Sequence, residues 1–127
     1  MIVNKRFKDL EVWKRSAHLC EIVFIYFDSK QWFIYKNQIT GSVLSISSNI
    51  AEGFERGSDR DLIRFLTYAK GSCGEFRSQT RIGIRFNLIE KEIGLNWIND
   101  ANEISSMLSG LIKTRKAFII RDESKTE

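Results

Sequence analysis

The chain has 127 residues, of which 43% are hydrophobic and 28% are charged, and its formal net charge is +4. This length supports one hydrophobic core and is too short for two ordinary domains, so we expect a single domain over residues 1–127. The mixed composition excludes a disordered or fibrous chain. The chain contains no proline, the residue most hostile to helix interiors, so long uninterrupted helices are permitted.

Helix 1 is predicted over about residues 9–27, with Asp9 as its N-cap. One set of apolar or small residues recurs at alternating steps of three and four, as in the core of a bundle: Leu10, Trp13, Ala17, Cys20, Phe24 and Phe27. A second apolar stripe lies roughly 160° around the helix and comprises Val12, Leu19, Ile22 and Tyr26. Either another segment of the same chain covers this stripe or it is an oligomer interface, and we weigh these interpretations equally.

Residues 28–36 interrupt the helical rhythm and are predicted to form a connection that packs its aromatic side chains over one end of the bundle. Helix 2 is predicted over about residues 37–52, and its core-facing positions are Ile39, Val43, Ile46 and Ile50. Helix 3 is predicted over about residues 59–87 because Ser58 and Asp61 resemble a capping box. Its core-facing positions are Leu62, Leu66, Ala69, Cys73, Phe76, Thr80 and Gly83.

Helix 4 is predicted over about residues 91–116, followed by a tail over residues 117–127 that is frayed or ordered by a partner. Its core-facing positions are Trp97, Ala101, Ile104, Leu108 and Leu111. Because short connections favour antiparallel neighbours, the predicted fold is all-α, an antiparallel up-down-up-down four-helix bundle.

The cationic residues of helix 3 lie on one side of the helix. At about 100° per residue, six of them fall within an arc of roughly 140°: Arg60, Arg64, Lys70, Arg77, Arg81 and Arg85. A one-sided basic surface suits a phosphate backbone. A run of charge on a helix is also an ordinary solvated face, or pairs with acidic residues of a neighbouring subunit. Both interpretations stay open.

A polar strip lies beside the predicted core of helices 2 and 3. Its candidate members are Asn49, Glu52, Tyr68, Ser72, Glu75 and Gln79. The functional interpretation is a recognition site. We favour a hydrogen-bonded network that fixes the register of the helices or a subunit contact.

Catalytic and metal-binding patterns are missing from the sequence. His18 lies about 200° around helix 1 from Cys20, so these side chains do not form a nucleophile and base pair. A single histidine excludes most zinc arrangements, and no glycine-rich phosphate loop follows a strand. We therefore predict no enzymatic activity, no metal and no cofactor, and we interpret Cys20 and Cys73 as buried free thiols. The chain has no run of about 18 apolar residues and begins with a charged segment, so we expect a cytoplasmic protein.

Four sequence blocks carry a family resemblance. Phe7 to Trp13 reads F-x-D-L-x-V-W, and Ser45 to Gly53 reads S-I-x-x-N-I-A-E-G. Arg64 to Gln79 reads R-F-L-x-x-A-x-G-S-x-x-E-x-x-x-Q, and Met107 to Lys113 reads M-L-x-G-L-I-K. In these blocks the chain resembles the 23S ribosomal-RNA intervening-sequence proteins.

The resemblance implies a bacterial four-helix bundle that often assembles into a ring-like homopentamer. The family is also similar in fold to the basic accessory protein of diversity-generating retroelements, which works with a reverse transcriptase and nucleic acid. We therefore predict a non-enzymatic, homo-oligomeric protein that binds RNA or DNA, or an adaptor of a ribonucleoprotein, with a nucleic-acid-processing protein as a further partner. The alternative is a protein-interaction scaffold without a nucleic-acid role.

Overall fold

The computed structural model describes residue 7 and residues 10–126, and within them it contains four α-helices and no strand. These are α1 (Glu11–Phe27), α2 (Phe33–Glu55), α3 (Asp59–Arg85) and α4 (Lys91–Thr126). The all-α, four-helix class predicted from the sequence is confirmed. The predicted N-cap Asp9 lies outside the described residues. Within the described part of the chain, none of the helices has the length and apolarity needed to cross a membrane.

Helix α3 is the element that the sequence predicts best. Its seven predicted core-facing positions, from Leu62 to Gly83, are its seven buried residues. The predicted cap is also present, because the Ser58 Oγ accepts a hydrogen bond from the Asp61 backbone N–H at 3.1 Å. This bond satisfies one of the free amides at the helix start. The four predicted core positions of α2 are fully buried, as are Ala101, Ile104 and Leu108 of α4.

Helix α1 buries a different face from the one predicted. Its buried residues are Val12, Ser16, Leu19, Val23 and Phe27, whereas Phe24 is 44% exposed. The interface prediction is therefore wrong for Val12 and Leu19, which lie in the core of the chain itself, and Ile22 and Tyr26 pack against that core. The core-facing direction falls between the two predicted stripes. Ser16 obscures it in the sequence, because its hydroxyl donates to the Trp13 carbonyl at 2.9 Å and so tolerates burial.

Two predicted helix boundaries also need correction. Helix α2 begins at Phe33 rather than near residue 37, and Trp32, Phe33 and Ile34 remain exposed instead of packing over the end of the bundle. Helix α4 continues to Thr126, so the predicted tail is helical. No proline or glycine follows Gly110 to end α4, and a salt bridge from Glu123 to Arg60 joins this extension to the start of α3.

Helix α3 lies between α2 and α4. It contacts both, while α1 contacts α2 and α4. The start of α3 lies beside the end of α4, where the Arg115 guanidinium is 3.1 Å from the Asp59 carboxylate. The two flanks of α3 therefore have different neighbours, and the candidate site residues divide between these flanks.

Candidate nucleic-acid interface

The flank of α3 that faces α4 carries cations from both helices. The Arg77 guanidinium donates to the amide oxygen of Asn102, a neutral partner that leaves the charge of Arg77 uncompensated. Lys70 lines a groove of about 510 Å³ together with Lys113 and Lys116 of α4. The remaining lining residues are Ser109, Ile112, Ala117 and Ile120, so no carboxylate lines this groove.

Arg81 and Arg85 continue the row along α3, and both are exposed. Within the described part of the chain, no salt bridge involves Lys70, Arg77, Arg81, Arg85, Lys113 or Lys116. We call these six residues the basic face. Their charges are available to an anion from outside the chain.

The other two candidates on α3 have carboxylate partners. Arg60 pairs with Glu123, and Arg64 pairs with Asp61 at 2.9 Å. The Arg64 guanidinium also lies over the Phe65 ring, 5.2 Å from its centroid. All of these charged groups are substantially exposed, and such pairs contribute only about 0–1 kcal/mol. The predicted arc of six cations is thus divided into four uncompensated and two paired residues.

Sequence reasoning missed Lys113 and Lys116 as members of this surface. Both lie near the end of helix 4, where cations also interact favourably with the helix dipole without binding a ligand. The available signal was their spacing of three residues, which places both on one side of α4. Which side faces Lys70 depends on how α4 packs against α3.

The opposite flank of α3 is hydrogen-bonded to α2. The Ser72 Oγ lies 3.0 Å from the Ser45 Oγ, which also accepts from the Asn49 Nδ2 at 2.9 Å. About one turn earlier on α2 and two turns later on α3, the Ser42 hydroxyl donates to the Gln79 Oε1 at 2.6 Å. These bonds lie between two closely packed helices and restrict their relative register.

Three residues of the predicted polar strip do not take part in these hydrogen bonds between α2 and α3. Glu52 pairs with Arg56 of its own helix at 3.2 Å. Tyr68 is exposed and its ring meets the Phe65 ring edge-on, with centroids 5.5 Å apart. Glu75 is exposed.

The two cysteines are free thiols in different environments. Cys73 is buried, and burial raises the pKa of its thiol to about 11, although the positive charges of Arg77 and Lys70 act in the opposite direction. Cys20 is only partly buried, contrary to the prediction, and burial again raises the pKa of its thiol. Across the described residues, no three histidine, cysteine, aspartate or glutamate side chains cluster as metal ligands would.

These features define a small helical bundle with an uncompensated basic face. The model of the 23S rRNA-intervening sequence protein family matches residues 8–110, and the chain belongs to this family. It is also similar to the crystal structure of a protein of unknown function from the S23 ribosomal protein family of Bacteroides thetaiotaomicron. The two are 27% identical, with a TM-score of 0.75 over 80% of this chain and 98% of the other. A search of curated proteins finds no match.

Proposed function

We propose that this protein is a non-enzymatic, homo-oligomeric protein that binds the phosphate backbone of RNA or DNA through the basic face, as a subunit or adaptor of a ribonucleoprotein. One observation carries the proposal. Six cations from two helices share a surface on which no described carboxylate forms a salt bridge with any of them.

The clustering of like charges supports a bound anion. Lys70, Lys113 and Lys116 line one groove, and neighbouring like charges destabilise a fold unless counter-charges compensate them. Phosphate groups would supply that compensation. Proteins that bind nucleic acid without reading its sequence use lysine and arginine in this way.

The dimensions of the basic face suit a polymer rather than a single phosphate. Arg77, Arg81 and Arg85 are spaced one turn apart, which corresponds to about 6 Å along the helix axis. Lys70 to Arg85 spans roughly 22 Å by the same rise of about 1.5 Å per residue. Because one strand of a duplex carries a phosphate about every 3.4 Å, this length accommodates several phosphates.

The assembly belongs to the same proposal. An antiparallel arrangement is supported by the contact of the start of α3 with the end of α4 and by the hydrogen bond from Ser42 to Gln79. Self-association is supported by apolar side chains that remain exposed on α1 and α2, namely Phe24, Ile25 and Leu44. A homopentamer is what the family resemblance implies, and we place the protein in the cytoplasm.

The alternative function is a protein-interaction scaffold. The same exposed apolar residues favour it, because large apolar side chains at the surface mark protein interfaces. In that case the basic face is solvated and binds no polymer.

An anisotropy titration with a structured RNA separates the two functions. We expect binding at about 50 mM salt and a steep loss of affinity as salt rises. Replacing Arg77, Arg81 and Arg85 with alanine should weaken binding and lower the salt slope by about 2 to 3. The matched control replaces Lys14, Arg56 and Lys125, which are exposed elsewhere and carry the same total charge. No binding at about 50 mM salt, or equal losses in the two variants, would favour the scaffold.

A further inference from the structure

We propose that the groove between the start of α2 and the end of α3 holds unpaired bases of a single-stranded nucleic acid whose phosphates lie on the basic face. This inference rests on the proposed function and specifies the class of nucleic acid. We call this cleft the aromatic groove, and it is lined by Trp32, Phe33, Ile34, Tyr35, Gln38, Gln79 and Ile82.

The lining of the aromatic groove suits flat, apolar groups with polar edges. Its volume is about 680 Å³, and three of its seven lining residues are aromatic. Phe33 is 65% exposed and Ile34 is 87% exposed, so the apolar surface is open to a ligand. No charged side chain lines the groove. Bases of any sequence stack on such aromatic side chains.

Hydrogen bonds within the chain hold the floor of the groove in place. The Tyr35 hydroxyl donates to the Gln79 backbone carbonyl at 2.6 Å, and the Gln79 side-chain oxygen accepts from Ser42. In the described residues no hydrogen bond uses the Gln79 Nε2. That nitrogen is therefore free to donate to the edge of a base, and the exposed Gln38 offers a second amide.

The groove lies close to the Arg85 end of the basic face. Ile82 lines the groove, and Arg85 is three residues further along α3, so the two side chains are neighbours on the helix surface. On the α2 side, the Lys30 Nζ lies 5.6 Å from the centroid of the Trp32 ring. An apolar groove bordered by cations matches a strand that has an anionic backbone and apolar bases.

A duplex does not match this combination of surfaces. Its bases are stacked and paired inside the helix, and its exterior offers phosphates and groove edges. Single strands, loops and ends present unstacked bases that aromatic side chains can hold. The basic face alone would accept either form, so the aromatic groove is the feature that selects single strands.

The test compares probes that differ only in their bases. We would titrate the full chain with a single strand of about 12 adenine nucleotides, with the same strand made abasic at alternate positions, and with the corresponding duplex. We expect the intact strand to bind most tightly. Binding should also quench the fluorescence of Trp32, and the Trp32→Phe variant should keep the affinity but lose this part of the quenching.

Replacing both Trp32 and Phe33 with alanine should weaken binding of the intact strand roughly 5- to 150-fold and leave the salt slope unchanged. Both side chains are substantially exposed, so the fold should be retained, and thermal melting checks this. The Phe33→Tyr variant keeps an aromatic ring and should retain the affinity.

Three results would overturn the inference. Equal affinity for the intact and abasic strands would show that the bases do not bind in the aromatic groove and that the basic face alone binds the strand. A changed oligomeric state of the double variant in light scattering, with unchanged strand affinity, would assign the groove to a protein contact. No binding of any strand at about 50 mM salt would overturn the proposed function together with this inference.

Discussion

The two flanks of α3 differ in whether their polar and charged side chains have partners within the chain. Toward α2, polar side chains such as Ser72 and Gln79 find partners within the chain, at 3.0 and 2.6 Å. Toward α4, Lys70 meets Lys113 and Lys116 across a groove, and Arg81 and Arg85 form no salt bridge with any described residue. The polar groups between α3 and α2 are thus paired within the chain, whereas the cations toward α4 have no described counter-charge. Changes in the hydrogen bonds between α2 and α3 should alter stability, and changes in the basic face should alter binding.

The largest expected effect on stability comes from Gly83→Ala. An added Cβ would collide with the Tyr35 hydroxyl and lie 2.6 Å from Ile89 Cδ1, so the core must shift. We expect a loss of about 1–3 kcal/mol in the free energy of unfolding, measured by chemical denaturation. Gly71→Ala is the control, because no atom lies within 4 Å of its Cβ position and the site is exposed. It should stabilise α3 by about 0.5–1 kcal/mol. Equal effects of the two changes would contradict the described packing.

A smaller effect is expected from Ser45→Ala on the hydrogen-bonded flank. This change removes the acceptor of the Asn49 bond and the partner of Ser72. We expect a loss of about 1 kcal/mol in the free energy of unfolding, with unchanged RNA affinity. Ser48→Ala on the exposed surface of the same helix should change neither. A weakened RNA complex of the Ser45→Ala variant would break the division between the flanks.

A still smaller effect on stability is expected from Arg60→Ala. Its salt bridge to Glu123 joins exposed side chains, and such pairs contribute less than about 1 kcal/mol. Removing Arg81, which forms no salt bridge in the described structure, should leave the free energy of unfolding within about 0.5 kcal/mol of the unaltered protein. Denaturation of both variants measures the difference, and a larger loss for Arg81→Ala would show that it has a structural partner.

Cys73 is buried on α3, and the pKa of its thiol depends in part on Arg77 and Lys70 of the basic face. Burial raises the pKa of its thiol to about 11 from an ordinary value near 9, so the folded state holds the proton more tightly than the unfolded state. Its contribution to stability is complete below about pH 9 and is lost as the pH rises toward 11. Near neutral pH the thiol is protonated in both the folded and the unfolded state, so the free energy of unfolding does not change with pH there through this group.

Variants that remove the two cations near Cys73 test whether these charges act on the pKa of its thiol. Lys70 and Arg77 lower the pKa of the Cys73 thiol, so Lys70→Gln with Arg77→Gln should raise it further. Thiolate absorbance in a Cys20→Ser background follows the titration. An unchanged pKa would place the two cations away from the core thiol.

The sequence predicted α3 almost completely because its apolar and charged residues occupy separate sides. Leu62 to Gly83 repeat at regular steps, and the cap at Ser58 marks the start of the helix. The same reasoning predicted the wrong buried face for α1. Apolar residues such as Leu19 and Phe24 lie on several sides of this helix, and the buried Ser16 is of a residue type that is common at the surface. Local pattern alone does not decide between two apolar faces; packing against α2 and α4 does.

The candidate site was predicted only in part for a related reason. The one-sided cations of α3 follow from helical geometry, so Lys70 to Arg85 could be placed together from their spacing. The pairing of Arg60 with Glu123 and the approach of Lys113 to Lys70 join residues distant in sequence. They depend on the length and position of α4, whose last turns lie beyond the segment that matches the family.

The salt dependence of RNA binding tests the central claim most directly. Log K should decrease as log salt rises. The magnitude of this slope should be smaller by about 1.4–1.8 when Arg81 and Arg85 are replaced by alanine, because two phosphate contacts are lost. Replacing the exposed Lys14 and Arg56, which removes the same charge, should leave the slope unchanged. Equal slopes for the unaltered protein and the Arg81 and Arg85 variant would contradict the assignment of this flank of α3 to nucleic acid.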